Sequence, residues 1–246
     1  MLQCLHGYDQ APLEFRSKTG GFRKEAKKLA DFTFCTAPHL AVARETDEPG
    51  AAGLKEKGGS WYDFQALYAG DNNQFLASLQ ASLDEIDLQC SGQHFDGLLG
   101  FSQGASMCAL IAGLQHLREQ GQTERQVGGL QLGPHVNFRF ATIASGFWAG
   151  EGRATVAQQA MIDESPLKCL SAAFGENPIE LPSLHVFGTT DAIIGAEKSE
   201  ALASFFVEPA ITLHEGGHHV PSEAAVRKAF KSFVALQRDN IYPPTV

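Results

Sequence analysis

The sequence predicts an α/β protein, with a doubly wound, mostly parallel sheet and helices on both faces. Three observations predict it. Short apolar runs alternate with helical patterns along most of the chain. The runs are apolar without strict alternation, as strands covered on both faces are. Their boundaries fall on Gly, Pro or Asp. With 246 residues, 43% apolar and 19% charged, the chain is long enough for one large core and too apolar for disorder. A single domain over residues 1–246 is the expectation.

Residues 2–5, 32–35, 95–99, 140–144, 184–187 and 210–213 read as the strands. The first of them opens the chain where a signal peptide would show a basic start, an apolar stretch and a small-residue cleavage site. Among the helices, Leu76, Leu79, Leu83, Ile86 and Cys90 recur at spacings of three and four, with Asp71 or Asn72 available as the N-cap. Residues 105–117 are apolar on most faces, which suits a helix buried against the sheet. The last helix begins near Ser222 and Glu223 and presents Val226, Ala229, Phe230 and Phe233 on one side.

Two stretches are too long for simple connections. Residues 36–70 are polar and rich in Gly, Pro and charge, yet hold Trp61, Tyr62 and Phe64. Residues 145–182 hold Phe147, Trp148 and a weak helical pattern over 153–162. Both follow a strand, so both emerge at the carboxyl edge of a parallel sheet, where ligands bind. They are expected to be lid or substrate-binding insertions at that edge. A third polar stretch, 119–137, follows a helix and is expected at the opposite edge, functionally bland.

Composition excludes several classes of function. The 28 acidic and 19 basic side chains give a net charge of −9, which opposes general affinity for nucleic acid or an anionic membrane. The longest apolar run, 107–114, falls well short of the roughly 20 residues that span a bilayer. Five scattered cysteines without C-x-x-C spacing argue against a disulfide framework or a zinc ribbon and for buried thiols in a reducing compartment. A cytoplasmic protein without a membrane span is expected.

The chemistry begins at Gly100-Phe101-Ser102-Gln103-Gly104, a G-x-S-x-G between a strand and a buried helix. On so tight a turn the serine is forced into a strained backbone and side chains at the flanking positions would clash. The helix N-terminus then faces the reacting centre and favours developing negative charge. A serine hydroxyl needs a base oriented by an acid. Asp191 follows the strand 184–187, and His214-Glu215-Gly216-Gly217-His218-His219-Val220-Pro221 follows the strand 210–213. The order Ser, Asp, His and the sheet edge are those required. Asp163 and Glu164 are rival acids but lack a preceding strand, and chemistry alone does not choose between His218 and His219. His214, His218, His219 and Asp191 could also supply metal ligands, though a glycine loop lacks the one-face geometry of a helical H-E-x-x-H. Neither a metal nor another cofactor is expected. The backbone N–H groups of Tyr8, after the first strand, and of Gln103, after the serine, are the natural oxyanion donors. His6 reads as a structural residue shaping that turn.

Taken together, these residues resemble the FSH family of serine hydrolases within the α/β-hydrolase superfamily. The resemblance covers residues 2–238. It rests on Leu5-His6-Gly7-Tyr8, Phe15-Arg16-Ser17-Lys18-Thr19-Gly20, Arg23-Lys24, Trp61-Tyr62, Phe95 through Gly104, Ser145-Gly146-Phe147, His185-Val186-Phe187-Gly188 with Asp191, and His214 through Pro221. It implies an α/β-hydrolase type of sheet and a Ser102, Asp191, His218 triad. His218 is implied because the family pattern is G-G-H-x-V-P; His219 stands at the variable position, where an apolar residue is more usual. It further implies hydrolysis of carboxylic esters or acyl thioesters as small-molecule substrates. Trp61, Phe147 and Trp148 are the expected acyl-pocket residues. The competing expectation is a ligand-binding or scaffold protein that keeps the hydrolase shape without turnover.

Overall fold

The computed structural model describes residues 1–42, 58–122, 129–149, 158 and 166–243; the helical pattern read over 153–162 and the rival acids Asp163 and Glu164 lie almost wholly outside them. The strands, in chain order, are β1 (Leu2–Leu5), β2 (Phe32–Phe34), β3 (His39–Leu40), β4 (Gly59–Ser60), β5 (Gly97–Phe101), β6 (Phe140–Ala144), β7 (Ser183–Gly188) and β8 (Ala210–His214). Six of them form one sheet in the order β2-β1-β5-β6-β7-β8, and every pair in it is parallel. The short β3 and β4 pair antiparallel beside it. The helices are α1 (Pro12–Lys18), α2 (Gly20–Ala26), α3 (Phe64–Tyr68), α4 (Asn72–Cys90), α5 (Gln103–Glu119), α6 (Pro166–Glu176), α7 (Ala196–Ala203) and α8 (Ala224–Ile241).

The two faces of the sheet feed two cores, as the period-two alternation of a strand demands. Leu98 on β5 joins Phe75, Leu79, Leu83 and Ile86 of α4 and the apolar length of α5. Its neighbours Leu99 and Phe101 face the other way, onto Phe15, Phe22, Val226 and Phe230 from α1, α2 and α8. Each large side chain buried in this manner contributes roughly 1.5–3 kcal/mol. Asp71 is the N-cap of α4, its carboxylate accepting the N–H of Gln74.

One strand starts two residues later than its apolar run suggests. Phe95 and Asp96 precede β5, because the Asp96 N–H donates to Met1 O and its carboxylate accepts the Met1 ammonium at 2.6 Å and the Tyr242 hydroxyl at 2.8 Å. A charge so occupied belongs at the end of a strand. Three helices of the N-terminal half, α1, α2 and α3, were not legible as periodic patterns.

The topology decides where a site can lie. From β1 the chain steps outward to β2, then returns through α3 and α4 to β5 on the other side of β1. The loops after β1 and β5 therefore diverge at a switch point, the crevice where open parallel sheets bind ligands. Among the described residues, no helix is long and apolar enough to cross a membrane.

Candidate active site

Ser102 sits between β5 and α5 with φ 53° and ψ −117°, a left-handed conformation costly for any residue with a Cβ. The flanking glycines are what make the turn feasible. A Cβ on Gly100 would meet Cys108 Sγ at 2.6 Å and Ala105 Cα at 2.7 Å, and one on Gly104 would strike the carbonyl oxygens of Leu5 and His6. The first turn of α5 thus lies directly against the end of β1. The Ser102 N–H is held by Ala144 O at 2.9 Å.

Two other loops reach this serine. Asp191 is buried after β7, and its Oδ1 accepts the N–H groups of Ile193 and Ile194, each at 2.9 Å. Its Oδ2 lies 2.7 Å from His218 Nδ1, and His218 Nε2 lies 2.9 Å from Ser102 Oγ. An ionised carboxylate only accepts, so the imidazole proton belongs on Nδ1 and the Nε2 lone pair faces the hydroxyl. The two loops are stapled together: Thr189 N–H donates to His214 O at 2.8 Å and Thr190 Oγ1 to Glu215 O at 2.9 Å. A Cβ on Gly188 would collide with Gly216 O, so close passage of the loops needs glycine there. The Phe101 ring packs on the His218 ring at 4.9 Å between centroids. His219, by contrast, sets its ring edge-on against His214 at 5.1 Å. Geometry thus brings Ser102, Asp191 and His218 into one relay, with His219 outside it.

The turn after β1 is fixed from both sides. Ala37 N–H donates to His6 Nε2 at 3.3 Å, which leaves the proton on Nδ1 to donate to Gly7 O at 2.8 Å. Gly7 N–H is taken by Gln10 Oε1 at 3.0 Å. The Gly7–Tyr8 peptide is held through its carbonyl, and a trans peptide directs the Tyr8 N–H the opposite way. Burial holds the His6 ring below the usual histidine range, hence neutral. Gln103 has a second role that its position after the serine did not reveal. Its buried side-chain oxygen accepts the Trp61 N–H at 2.9 Å, and its amide donates to Tyr62 O at 3.0 Å and to Ser60 Oγ at 3.1 Å.

Gly7, Tyr8, Ser102, Gln103 and His218 open into one cavity of about 1260 Å³. Its apolar wall is formed by Leu40, Val42, Tyr62, Phe64, Tyr68 and Phe147, with Ile193 and Ile194 beside His218, while Gln10, Lys18, Asp63, Gln65 and Gln74 also border it. Phe147 lines this cavity, its ring stacked on Phe64 at 6.4 Å. Trp61 and Trp148 do not. Trp61 is fully buried behind the β1 turn, its indole N–H donating to His6 O at 2.8 Å. Trp148 donates to Leu167 O at 3.2 Å and packs against Phe174 and Phe205 in the core. Each indole N–H found a buried carbonyl, which fixes the ring inside. Tyr62, Phe64 and Tyr68 take the wall instead. Phe64 and Tyr68 are four residues apart, a helical spacing that could have marked them. The four-residue metal grouping does not assemble, because His218 and Asp191 are engaged with each other; among the described residues, the ligand atoms of His214, His219 and Glu223 lie within 4.8 Å of one another instead.

An all-parallel sheet whose serine turn, acidic loop and histidine loop meet at its carboxyl edge is an α/β-hydrolase fold. Solved structures agree: Arabidopsis thaliana SOBER1 aligns with a TM-score of 0.57 at 17% identity, covering 96% of this chain and 97% of that one. Zea mays acyl-protein thioesterase 2 aligns at 0.55 and 18% identity, over 95% and 93%. The chain belongs to the serine hydrolase (FSH1) family, whose sequence profile matches residues 2–230. It is 33% identical over 239 residues to Esterase OVCA2 of Xenopus tropicalis, covering 94% of this chain and 90% of the relative. Esterase CG5412 of Drosophila melanogaster is 35% identical over 233 residues, covering 94% of this chain and 71% of the relative.

Proposed function

We propose that this serine hydrolase cleaves carboxylic esters or acyl thioesters through a covalent acyl-enzyme. The observation that carries the reading is the pair of hydrogen bonds from Asp191 through His218 to Ser102, at 2.7 and 2.9 Å. Ser102 Oγ attacks the acyl carbon while His218 Nε2 accepts its proton. Asp191, its other oxygen anchored by two backbone N–H groups, holds the ring and balances the imidazolium. The N–H groups of Tyr8 and Gln103 bind the oxyanion, each such donor typically worth about 2.7–4 kcal/mol. His218 then gives its proton to the departing alcohol or thiol, and a water activated by the same nitrogen releases the acid. The residues named supply every proton transfer, so the scheme calls for no cofactor.

Two features support an acyl substrate. The cavity beside Ser102 is walled by aromatic and branched side chains, and the relatives matched over most of the chain are named esterases. The insertions 36–70 and 145–182 fit the part of lids within a single domain: Leu40, Tyr62, Phe64 and Phe147, drawn from both, line the cavity.

A fluorophosphonate probe tests the nucleophile. It is expected to label the wild type at Ser102 and to leave Ser102→Ala unlabelled; full labelling of that variant overturns the assignment. His218→Ala is expected to abolish turnover of a short p-nitrophenyl ester, while His219→Ala retains it. Rates across p-nitrophenyl esters of graded chain length, with acyl-CoA thioesters alongside, separate ester from thioester preference.

A further inference from the structure

We propose that His214, His219 and Glu223 form a binding site for a divalent transition-metal ion of the Zn²⁺ type, and that occupancy of this site inhibits the hydrolase. The ligand atoms of the three lie within 4.8 Å of one another. Two imidazoles and a carboxylate are a recognised zinc donor set, with bonds of roughly 2.0–2.2 Å and a fourth position left for water. Ligands sharing one tetrahedral ion at such bond lengths stand roughly 3.3–3.6 Å apart, so the cluster draws in by about 1 Å on binding. The closure falls to His219 and Glu223, both solvent-exposed, while His214 is buried and fixed at the end of β8. The Nε2 of His214 is buried with no hydrogen-bond partner among the described residues, a polar atom that the polypeptide leaves unsatisfied.

The connection to catalysis runs through Gly216. Its N–H donates to His214 Nδ1 at 3.1 Å, so in the ion-free ring the proton sits on Nε2. An ion bound at Nδ1 displaces that N–H directly. An ion bound at Nε2 takes the place of the ring proton, which moves to Nδ1 and removes the acceptor. In both cases Gly216 loses its partner, and Gly216-Gly217 lead straight into His218. The ion also draws His219, the next residue, toward Glu223 at the start of α8. The loop that presents Nε2 of His218 to Ser102 is thereby pulled from its resting position, which is the source of the inhibition.

Calorimetric titration of the full-length protein with Zn²⁺, after chelator treatment, measures binding without reference to turnover. One ion per chain is expected, with binding weakened at least about tenfold in His219→Leu and in Glu223→Gln, since even outer partners of a ligand cost that much. Mg²⁺, which prefers oxygen ligands, is expected to give no such binding. In parallel, Zn²⁺ is expected to inhibit hydrolysis of p-nitrophenyl butyrate by the wild type, reversibly with EDTA. Glu223→Gln is expected to keep its basal turnover and lose that sensitivity. No binding by the wild type, equal binding by both variants, or equal binding of Mg²⁺ overturns the site. Binding without inhibition overturns the coupling. Should the protein have no esterase activity at all, the calorimetry still decides the site, so the two readings fail separately.

Discussion

The serine turn and the histidine loop meet at one hydrogen bond but are built differently. At the turn, glycine is required by backbone: a Cβ on Gly104 would strike the carbonyls of Leu5 and His6. On the loop, a Cβ on Gly217 would find only Thr190 O, at 3.7 Å, and its φ is an ordinary negative one. The turn is held by close packing of α5 on β1, whereas the loop is held by a few hydrogen bonds to Thr189, Thr190 and His214. Ser102 is thus fixed chiefly by backbone packing and His218 chiefly by hydrogen bonds, on separate pieces of chain.

The contrast can be broken most severely at Gly104. Gly104→Ala is expected to cost about 3 kcal/mol or more, beyond ordinary overpacking because the obstructing atoms are main chain; urea denaturation measures it, and a loss under about 1 kcal/mol would refute close packing as the turn's support. Gln103→Leu comes next. It strands the Trp61 N–H, whereas Tyr62 O keeps the Ser60 hydroxyl at 2.8 Å, and at about 1–3 kcal/mol per unsatisfied buried group it is expected to lower stability by about 1–3 kcal/mol while distorting both Ser102 and the aromatic wall. Chemical denaturation and kcat/KM together read the two effects.

Acid sharpens the comparison in another way, through histidines on the packed side. Burial lowers the pKa of His185, on β7, to about 3, and lowers that of His6 as well. Between those values and the unfolded value near 6.5, the unfolded chain binds protons that the native chain does not. Stability therefore falls as pH drops below 6.5, with a slope from His185 reaching about 1.4 kcal/mol per pH unit and a further contribution of the same sign from His6. His185→Leu is expected to flatten the dependence of unfolding free energy on pH between 6 and 4. The smallest effect belongs to the loop: Gly217→Ala is expected to change stability by less than about 1 kcal/mol, seen as a Tm within a few degrees of wild type.

What the sequence made legible follows the same division. The four central strands, β1, β5, β6 and β7, announced themselves as apolar runs because both faces of each are buried; the edge strand β8 was read from Ile211 and Leu213, although both are about half exposed. That Ser102, Asp191 and the 214–221 loop would meet could be read from their order after successive strands, since a parallel sheet delivers every strand end to one edge. α1 and α2 escaped notice for local reasons. Leu13 is 78% exposed, which spoils the apolar face of a seven-residue helix, and Gly20-Gly21 reads as a turn although it opens α2. Gly21 is there for packing: a Cβ would sit 2.9 Å from Arg227 Cδ of α8. Trp61 was expected in the wall and Tyr62 stands there instead, because of two adjacent aromatics the one whose indole N–H finds the His6 carbonyl turns inward. His218 and His219 posed the same problem: neighbours in the chain, they differ only in which ring reaches Asp191.

The side-chain amide of Gln103 welds the Ser102 turn to the 60–62 segment, so that wall and hydroxyl travel as one body. A lineage that retunes its substrate preference is therefore constrained in where it can experiment. Changes around Tyr62, or on β3 paired with Gly59–Ser60, are transmitted to Ser102, whereas Ile193 and Ile194 on the Asp191 loop can vary in bulk without pulling on that amide. Divergence in selectivity among related sequences should accumulate on that loop.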